Sequence, residues 1–365
     1  MTTSKCYSCE NFSTCHPDSL DSDVGECDAY TPDEKHQNKE TELSNATHKV
    51  LVVGGCGYIG GYLTDLLRDE CFDTTVYDIL AYEERFLKPV PFIYGDVRDR
   101  QKLRSLLEQY DTVVWLAAVV GDGACAADPF LTQAINEDSV KWLVDNYKGR
   151  IVFTSTCSVY GKNDELIDES ATPNPLSVYA ETKLRAEQYI LEKAADRSLV
   201  FRLGTLFGLG DPFSRIRLDL VVNILAKRAA CREKLRVFGG DQWRPLIHVR
   251  DVGRAIVAGL CHEGITGLYN LSAFNYRIHE IADAIQEIVP DCEVEKVKMP
   301  FEDQRNYRVS VDAWLNACPS WQCCLTVQDG IHALVDVIQS ARIKNPGSPV
   351  YSNEAYIQDC YRRWL

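Results

Sequence analysis

The chain has 365 residues, 45% hydrophobic and 25% charged, an ordinary globular composition long enough for one large α/β unit with an added lobe. Its 39 Lys and Arg against 53 Asp and Glu give a formal charge of −14, so nucleic acid and anionic membrane are not expected partners, and an anionic substrate would need locally placed arginines. No apolar run reaches the roughly 20 residues that span a bilayer, and Met1–Glu10 is polar, without the apolar core of a signal peptide; a cytoplasmic location is expected.

Residues 1–47 are rich in Asp, Glu, Ser, Thr and Cys and show neither helical nor strand period. Regular patterning begins at Lys49. Lys49–Gly55 is a short β-branched run, as a buried strand requires. A helix is predicted over 58–68, then strands over 75–80 and 92–96. A helix over 101–109 and a strand over 112–118 follow. Next come a helix over 129–146, a strand over 150–156, a helix over 176–194 and a strand over 199–207. Strands alternating with helices imply a parallel sheet covered on both faces. The fold class is α/β: a Rossmann-type doubly wound parallel sheet over 48–208, then a smaller C-terminal lobe over 209–345 and a tail over 346–365. In that lobe helices are expected over 216–229, 252–261, 278–288 and 327–338, with Leu235–Gly239 and a loop between the first two.

Gly54, Gly57 and Gly60 stand where the first strand ends and the first helix begins. The turn needs positive φ, the backbone must approach a pyrophosphate, and the helix must pack closely on the strand. The helix N-terminus then offers free N–H groups, including those around Tyr58 and Ile59, and a positive dipole. Asp78 ends the second strand at the distance where a carboxylate can accept from both adenosine ribose hydroxyls and repel a 2′-phosphate; the alternative is a strand-end turn aspartate. NAD is therefore preferred over NADP.

Tyr179 and Lys183 are four apart and share one helix face. An ammonium near a phenol favours the phenolate, which lets tyrosine exchange a proton near neutral pH. Upstream, Ser155-Thr156-Cys157-Ser158 ends a strand, where a hydroxyl can hold a substrate oxygen.

Taken with Gly54–Gly60, these residues resemble the extended short-chain dehydrogenase/reductase family, the NAD-dependent sugar-nucleotide epimerases and dehydratases. The resemblance covers about 49–338. It also rests on Gly95–Asp99, Leu116-Ala117-Ala118, Ser155–Gly161, Arg202–Gly208 and Arg244–Asp251. It implies Tyr179 as the proton-transfer residue, Lys183 on the nicotinamide ribose, and Thr156 as the catalytic hydroxyl with Ser158 beside it. It implies Asp96 and Val97 around the adenine, and Leu116, Ala117 and Ala118 along the pyrophosphate–ribose path. Arg244 matches a position that contacts the substrate diphosphate, a surface salt bridge being the alternative. Thr205, Arg217 and Asn223 are further substrate candidates. His248 and Asp251 are expected to hold a loop, and Cys125 and Cys157 to be packed thiols.

The implied chemistry removes a sugar hydroxyl proton, passes hydride to NAD, and returns it to the other face of a 4-keto sugar. Family 4,6-dehydratases carry an Asp-Glu pair beside the catalytic Thr, and here Cys157-Ser158 stands there, so an epimerase is preferred. A 4-dehydrogenase or ketoreductase stays open, as does a non-sugar ketone substrate. The reading from another class is an NAD(H)-binding scaffold or sensor without turnover, which loss of Tyr179 or Lys183 would have favoured. A homodimer is a family expectation.

The N-terminal Cys6, Cys9, Cys15 and Cys27 offer two readings: a zinc site of four thiolates, or a disordered tail with reactive thiols. Their spacing after the first pair matches no standard finger, and an iron–sulfur cluster is the other metal considered.

Overall fold

The computed structural model describes residues 48–211, 213–297 and 305–360. The Cys-rich segment over 1–47, with Cys6, Cys9, Cys15 and Cys27, lies outside the described residues.

In chain order the first half runs β1 (Lys49–Val53), α1 (Gly60–Asp69), β2 (Asp73–Asp78), β3 (Phe92–Tyr94), α2 (Arg100–Leu107), β4 (Thr112–Trp115), α3 (Asp122–Ala127), α4 (Pro129–Gln133), α5 (Ser139–Asn146), β5 (Arg150–Thr156), β6 (Lys162–Ile167) and α6 (Val178–Ala194). The second half runs β7 (Ser198–Leu203), β8 (Thr205–Phe207), α7 (Val221–Ala230), β9 (Leu235–Phe238), β10 (Trp243–His248), α8 (Val249–Cys261), β11 (Gly267–Leu271), β12 (Phe274–Arg277), α9 (Ile278–Ile288), β13 (Val294–Val297), β14 (Asn306–Val309), α10 (Asp312–Ala317), α11 (Val327–Gln339) and α12 (Asn353–Cys360).

Seven strands form one sheet in the order β11-β7-β5-β4-β1-β2-β3. Every neighbouring pair is parallel. Its central strands are apolar on both faces: Val50, Leu51, Val52 and Val53 are fully buried, as are Val113, Val114 and Trp115. That is what a parallel sheet under helices on both sides demands. The strand order reverses between β1 and β4, and such a switch point opens a crevice at the carboxyl ends of the strands.

The expected division at residue 208 is crossed. The chain leaves the sheet after β7, builds part of the second lobe, and returns to add β11 beside β7 with Gly267 opposite Leu199. Helix α8 returns with it, and Val252 and Ile256 share a core with Leu63 and Leu67 of α1. The smaller lobe has its own core, where Val222 and Leu225 of α7 meet Ile281 and Ile285 of α9 and Ile331 and Leu334 of α11.

Three expected elements break, each for a physical reason. The strand expected over 199–207 splits at Gly204: β7 stays in the large sheet, while β8 pairs with β10 in a second, three-stranded one. The helix expected over 129–146 is interrupted by a π segment, Ala134–Asp138. Such bulges re-aim side chains, and here Asn136 accepts from the Val119 N–H at 2.8 Å and donates to its carbonyl at 2.9 Å. The helix expected over 216–229 starts only at Val221, because the preceding stretch is held by the Tyr351 carbonyl, which accepts from Leu218 N–H at 2.9 Å. Strands β6 and β9–β14 go beyond the expected elements; they are short, and most lie outside the main sheet.

Candidate active site

A cavity of about 580 Å³ opens at the carboxyl end of the sheet. Gly54, Gly57, Tyr58, Ile59, Gly60, Leu116 and Ala118 line one side. Thr156, Ser158, Tyr179, Lys183, Thr205, Arg217 and Arg244 line the rest.

The glycine turn fits the pyrophosphate of a dinucleotide. Gly54 has φ +88, and a Cβ there would stand 2.5 Å from the Ala117 backbone nitrogen. Only glycine lets the β1 turn touch the β4 turn. At Gly57 a Cβ would meet just the Gly54 carbonyl, at 3.2 Å, so the missing side chain leaves a cradle open to the cavity. Helix α1 has no side-chain cap and no acid in its first turn, so its N-terminal N–H groups and dipole face an anion uncancelled.

Other expected cofactor residues stand behind this surface. Asp78 ends β2, where its carboxylate accepts from Cys56 N–H at 2.9 Å and Leu80 N–H at 2.7 Å, tying the glycine turn to the next loop. Burial pushes its carboxyl up against these bonds, which pull it down. Asp96 is paired with Arg98 at 2.6 Å; burial opposes its charge, but the guanidinium holds the carboxyl below its ordinary range. Val97 is buried in the core beneath the sheet, and Ala117 packs against that core. Asp78, Asp96, Val97 and Ala117 are not among the cavity-lining residues.

Helix α6 carries Tyr179 and Lys183, the pair expected to be catalytic. Ser177 caps it by accepting from Ala180 N–H. Glu187 fastens it to β7 through Arg202 at 2.6 Å, in a buried pair whose cost is offset by further bonds, Arg202 also donating to the Tyr160 hydroxyl at 2.8 Å. Tyr179 and Lys183 then face the cavity one turn apart.

Thr156 stands by the Tyr179 phenol on the cavity wall, close enough to pull its pKa down, and its hydroxyl accepts from Ser158 N–H at 3.1 Å. Burial pushes the phenol well above its ordinary value; the Cys125 thiol adds to this, while Thr156 and the charge of Arg217 pull it down. Lys183 Nζ lies 4.0 Å from the centre of the Phe153 ring. Burial pulls Lys183 down to about 7, with Glu187 and Cys125 opposing the fall. The spacing predicts that Lys183 tunes Tyr179, and Arg217 is a further cation whose charge pulls the phenol down.

The far wall is cationic. Arg215, Arg217, Arg228, Arg236, Arg244 and Arg305 all line the cavity of a chain whose formal charge is −14. Arg217 makes a two-pronged pair with Asp219 at 2.9 and 3.1 Å. Burial opposes the charge of Asp219, and Arg217 outweighs it and keeps the carboxyl below its ordinary range. Arg244 is buried and donates to the Trp243 carbonyl at 2.8 Å and to the Arg305 carbonyl. Arg305 pairs with Asp122 at 3.2 Å and reaches Ser158 Oγ at 3.4 Å, an oxygen also 3.4 Å from the Tyr307 hydroxyl.

Asn223 departs from its expected place. It is fully buried and absent from the cavity wall. Its amide donates to the Arg217 carbonyl at 2.8 Å and to the Tyr58 hydroxyl at 3.2 Å, and accepts from Gly208 N–H at 2.9 Å. It braces the Arg217 segment rather than meeting a ligand. His248 caps α8, with burial pulling its imidazole down to about 4, so it stays neutral at working pH. Asp251 accepts from Leu325 N–H at 3.1 Å and pairs with Arg254 at 2.7 Å. Cys125 and Cys157 are packed: their thiols donate to the Val119 and Arg202 carbonyls. Among the described residues no cluster of His, Cys, Asp or Glu could hold a metal ion, and no helix is long and apolar enough to cross a membrane.

Sequence reasoning missed Arg215, Arg305, Tyr307 and Asn353 on this wall. Arg215 had a signal, standing two residues before Arg217 in one extended stretch. Arg305, Tyr307 and Asn353 arrive from segments far along the chain with no local motif.

Residues 50–272 match the family described as NAD dependent epimerase/dehydratase. A UDP-glucose 4-epimerase of Rhizobium meliloti (strain 1021) is 30% identical over 273 residues, 66% of this chain and 82% of that protein. Two solved structures are similar in fold. The UDP-glucose 4-epimerase of Thermotoga maritima with UDP-glucose has TM-score 0.71 at 21% identity, covering 80% of this chain and 99% of that one. The UDP-glucose 4-epimerase of Thermus thermophilus in complex with NAD has TM-score 0.68 at 24% identity, with the same coverage.

Proposed function

This chain belongs to the NAD-dependent epimerase/dehydratase family, and from that premise we propose that it epimerises a nucleotide-diphosphate sugar through a transient 4-keto form. One observation carries the reading: the glycine cradle, the Thr156–Tyr179–Lys183 group and six arginines converge on a single cavity.

When bound, NAD supplies the hydride acceptor and donor that make oxidation and re-reduction of a sugar carbon possible. Gly54, Gly57 and the N-terminus of α1 hold its pyrophosphate, Asp78 favours a free adenosine ribose over a 2′-phosphate, and Lys183 holds the nicotinamide ribose. Tyr179 accepts the sugar hydroxyl proton and gives it back. Thr156, on the cavity wall beside Tyr179, orients that hydroxyl. Arg217 and Arg244 take the substrate diphosphate, for which a guanidinium fork is the matching donor. Ser158, backed by Arg305 and Tyr307, stands on the sugar side.

Epimerisation is preferred to dehydration on the chemistry present. Elimination of water from the sugar needs a general acid and base beside Thr156. The adjacent Cys157 thiol is buried and donates to a backbone carbonyl. Of the wall carboxylates, Asp122 and Asp219 are paired with Arg305 and Arg217, and Glu354, on α12 against Gly123, accepts from the Gln358 amide.

The test is incubation with NAD and a panel of UDP-, GDP-, CDP- and dTDP-sugars, read by NMR of the sugar and absorbance of reduced nicotinamide. A new epimer with no net NADH is expected. Net NADH, or a keto-sugar that accumulates, would replace this reading with a dehydrogenase or a dehydratase.

A further inference from the structure

Two guanidinium groups on one extended stretch face the cavity, and they are provided for differently. Arg217 has its own carboxylate, Asp219. Arg215 is 3% exposed, and among the described residues no carboxylate lies within ion-pair distance of it. The groups in direct contact with it are uncharged: Nη2 donates to the Asn353 amide oxygen at 3.0 Å, and the guanidinium lies 4.1 Å from the centre of the Tyr82 ring, while the charges of Asp219 and Glu83 reach it from beyond ion-pair distance. Its Nε is buried with no hydrogen-bond partner. A buried cation with no carboxylate in contact carries a burial cost that its more distant carboxylates do not cancel, and an anion that arrives to meet it would relieve that cost. The cavity wall is where one can arrive.

Asn353 comes from beyond residues 50–272, at the start of α12. It is 4% exposed, and each of its polar groups is engaged. The amide nitrogen donates to the Val120 carbonyl at 3.0 Å, beside the catalytic side of the cavity. The amide oxygen takes Arg215, and the backbone N–H donates to Asp219 at 2.8 Å, behind Arg217. The preceding turn is tied down by Leu218 N–H, which donates to the Tyr351 carbonyl, and Tyr82 packs on Tyr356 with ring centres 5.1 Å apart. The C-terminal segment thus clasps the stretch that carries both cations.

We infer that Arg215 binds the diphosphate of the substrate, and that Asn353 is the positioning residue that aims it. The inference rests on the nucleotide-sugar reading above and adds to it a cation and a support. A neutral amide suits this role, because it orients the guanidinium while leaving its charge for the ligand.

The experiment is titration calorimetry on the full chain with UDP, uridine and NAD. Asn353→Ala keeps the backbone bond to Asp219 and removes only the side chain. It is expected to weaken UDP about tenfold, with uridine and NAD unchanged. Arg215→Ala is expected to weaken UDP at least as much, and the double variant no more than Arg215→Ala alone, because one residue acts through the other. Asn353→Asp, nearly isosteric, gives Arg215 the carboxylate it lacks and is also expected to weaken UDP. It serves as the test if Asn353→Ala does not fold. Unchanged UDP affinity in either Asn353 variant overturns the inference, as do multiplied losses in the double variant or a parallel fall in uridine and NAD. A wild-type chain that binds no UDP would sink the nucleotide-sugar reading itself, which separates the two failures.

Discussion

At the Gly54–Gly60 end of the cavity a ligand meets backbone: a turn with no side chains in the way, and the uncapped first turn of α1. At the opposite end it meets guanidinium groups that start from several separate segments, Arg215 and Arg217 on one stretch, Arg244 on β10 and Arg305 before β14. The first end is local in sequence and intolerant, since one added methyl strikes the Ala117 backbone. The second is assembled over long separations, and each member can be replaced at a moderate cost. Anion binding by dipole and N–H needs geometry alone. Anion binding by arginine needs each charge supported, as Asp219 supports Arg217.

The largest expected effect falls where the two ends meet. Tyr179→Phe removes the oxygen proposed to carry the proton and leaves the glycine cradle and every arginine in place. Turnover is expected to fall about 1,000-fold, or about 4 kcal/mol of transition-state stabilisation, with binding of NAD and UDP retained. Steady-state kinetics beside calorimetry check it. Turnover near the parent rate would mean that another group moves the proton.

Gly54→Ala probes the intolerant end. The residue sits at φ +88 and its Cβ would stand 2.5 Å from a backbone nitrogen that no rotamer change can move. A loss of about 2 kcal/mol of stability or more is expected, with NAD binding lost. Gly57→Ala is the control: with only one contact, at 3.2 Å, it is expected to keep the parent Tm and still weaken NAD, because its methyl fills the cradle. Denaturant unfolding and NAD titration separate the two. Equal losses of stability in both would mean that the turn is not divided into packing and binding positions.

The same contrast explains what can be read from the sequence. Gly54, Gly57, Gly60, Tyr179 and Lys183 are legible because strand, turn and helix fix their geometry within a few residues. The parallel sheet is legible for the same reason: β1, β4 and β5 are β-branched runs between helices. Strand β11 is not, since Gly267–Leu271 is too short to announce which sheet it joins, and only pairing with β7 decides it. Asn223 reads as a substrate residue because, with Arg217, it stands in a stretch that resembles the family's substrate lobe; local sequence does not show that α7 turns Asn223 inward. Asn353 gives no signal at all, because its partners Val120, Arg215 and Asp219 lie more than 130 residues away.

The smallest expected effect is on stability against pH, and it comes from Lys183, between the two ends. Burial pulls this lysine down to about 7, against an ordinary 10.5 in the unfolded chain. Between those values the unfolded chain binds a proton that the folded chain does not, so stability rises with pH across that window. Below about 7 both states are protonated and the full cost of burying the charge is carried. The buried thiols act in the opposite sense: burial pushes Cys56, Cys125 and Cys157 up, so above about pH 9 the unfolded chain loses protons that the folded chain keeps, and stability falls. The Lys183 contribution is therefore isolated by comparing the parent with Lys183→Met between pH 7 and 8.5, where the thiols contribute little and cancel between the two proteins. The parent slope is expected to exceed that of Lys183→Met by up to about 1.4 kcal/mol per pH unit, measured by urea unfolding. Equal slopes would mean that the folded chain keeps Lys183 charged throughout this range, and the ammonium would then be available to tune Tyr179 as the four-residue spacing implies.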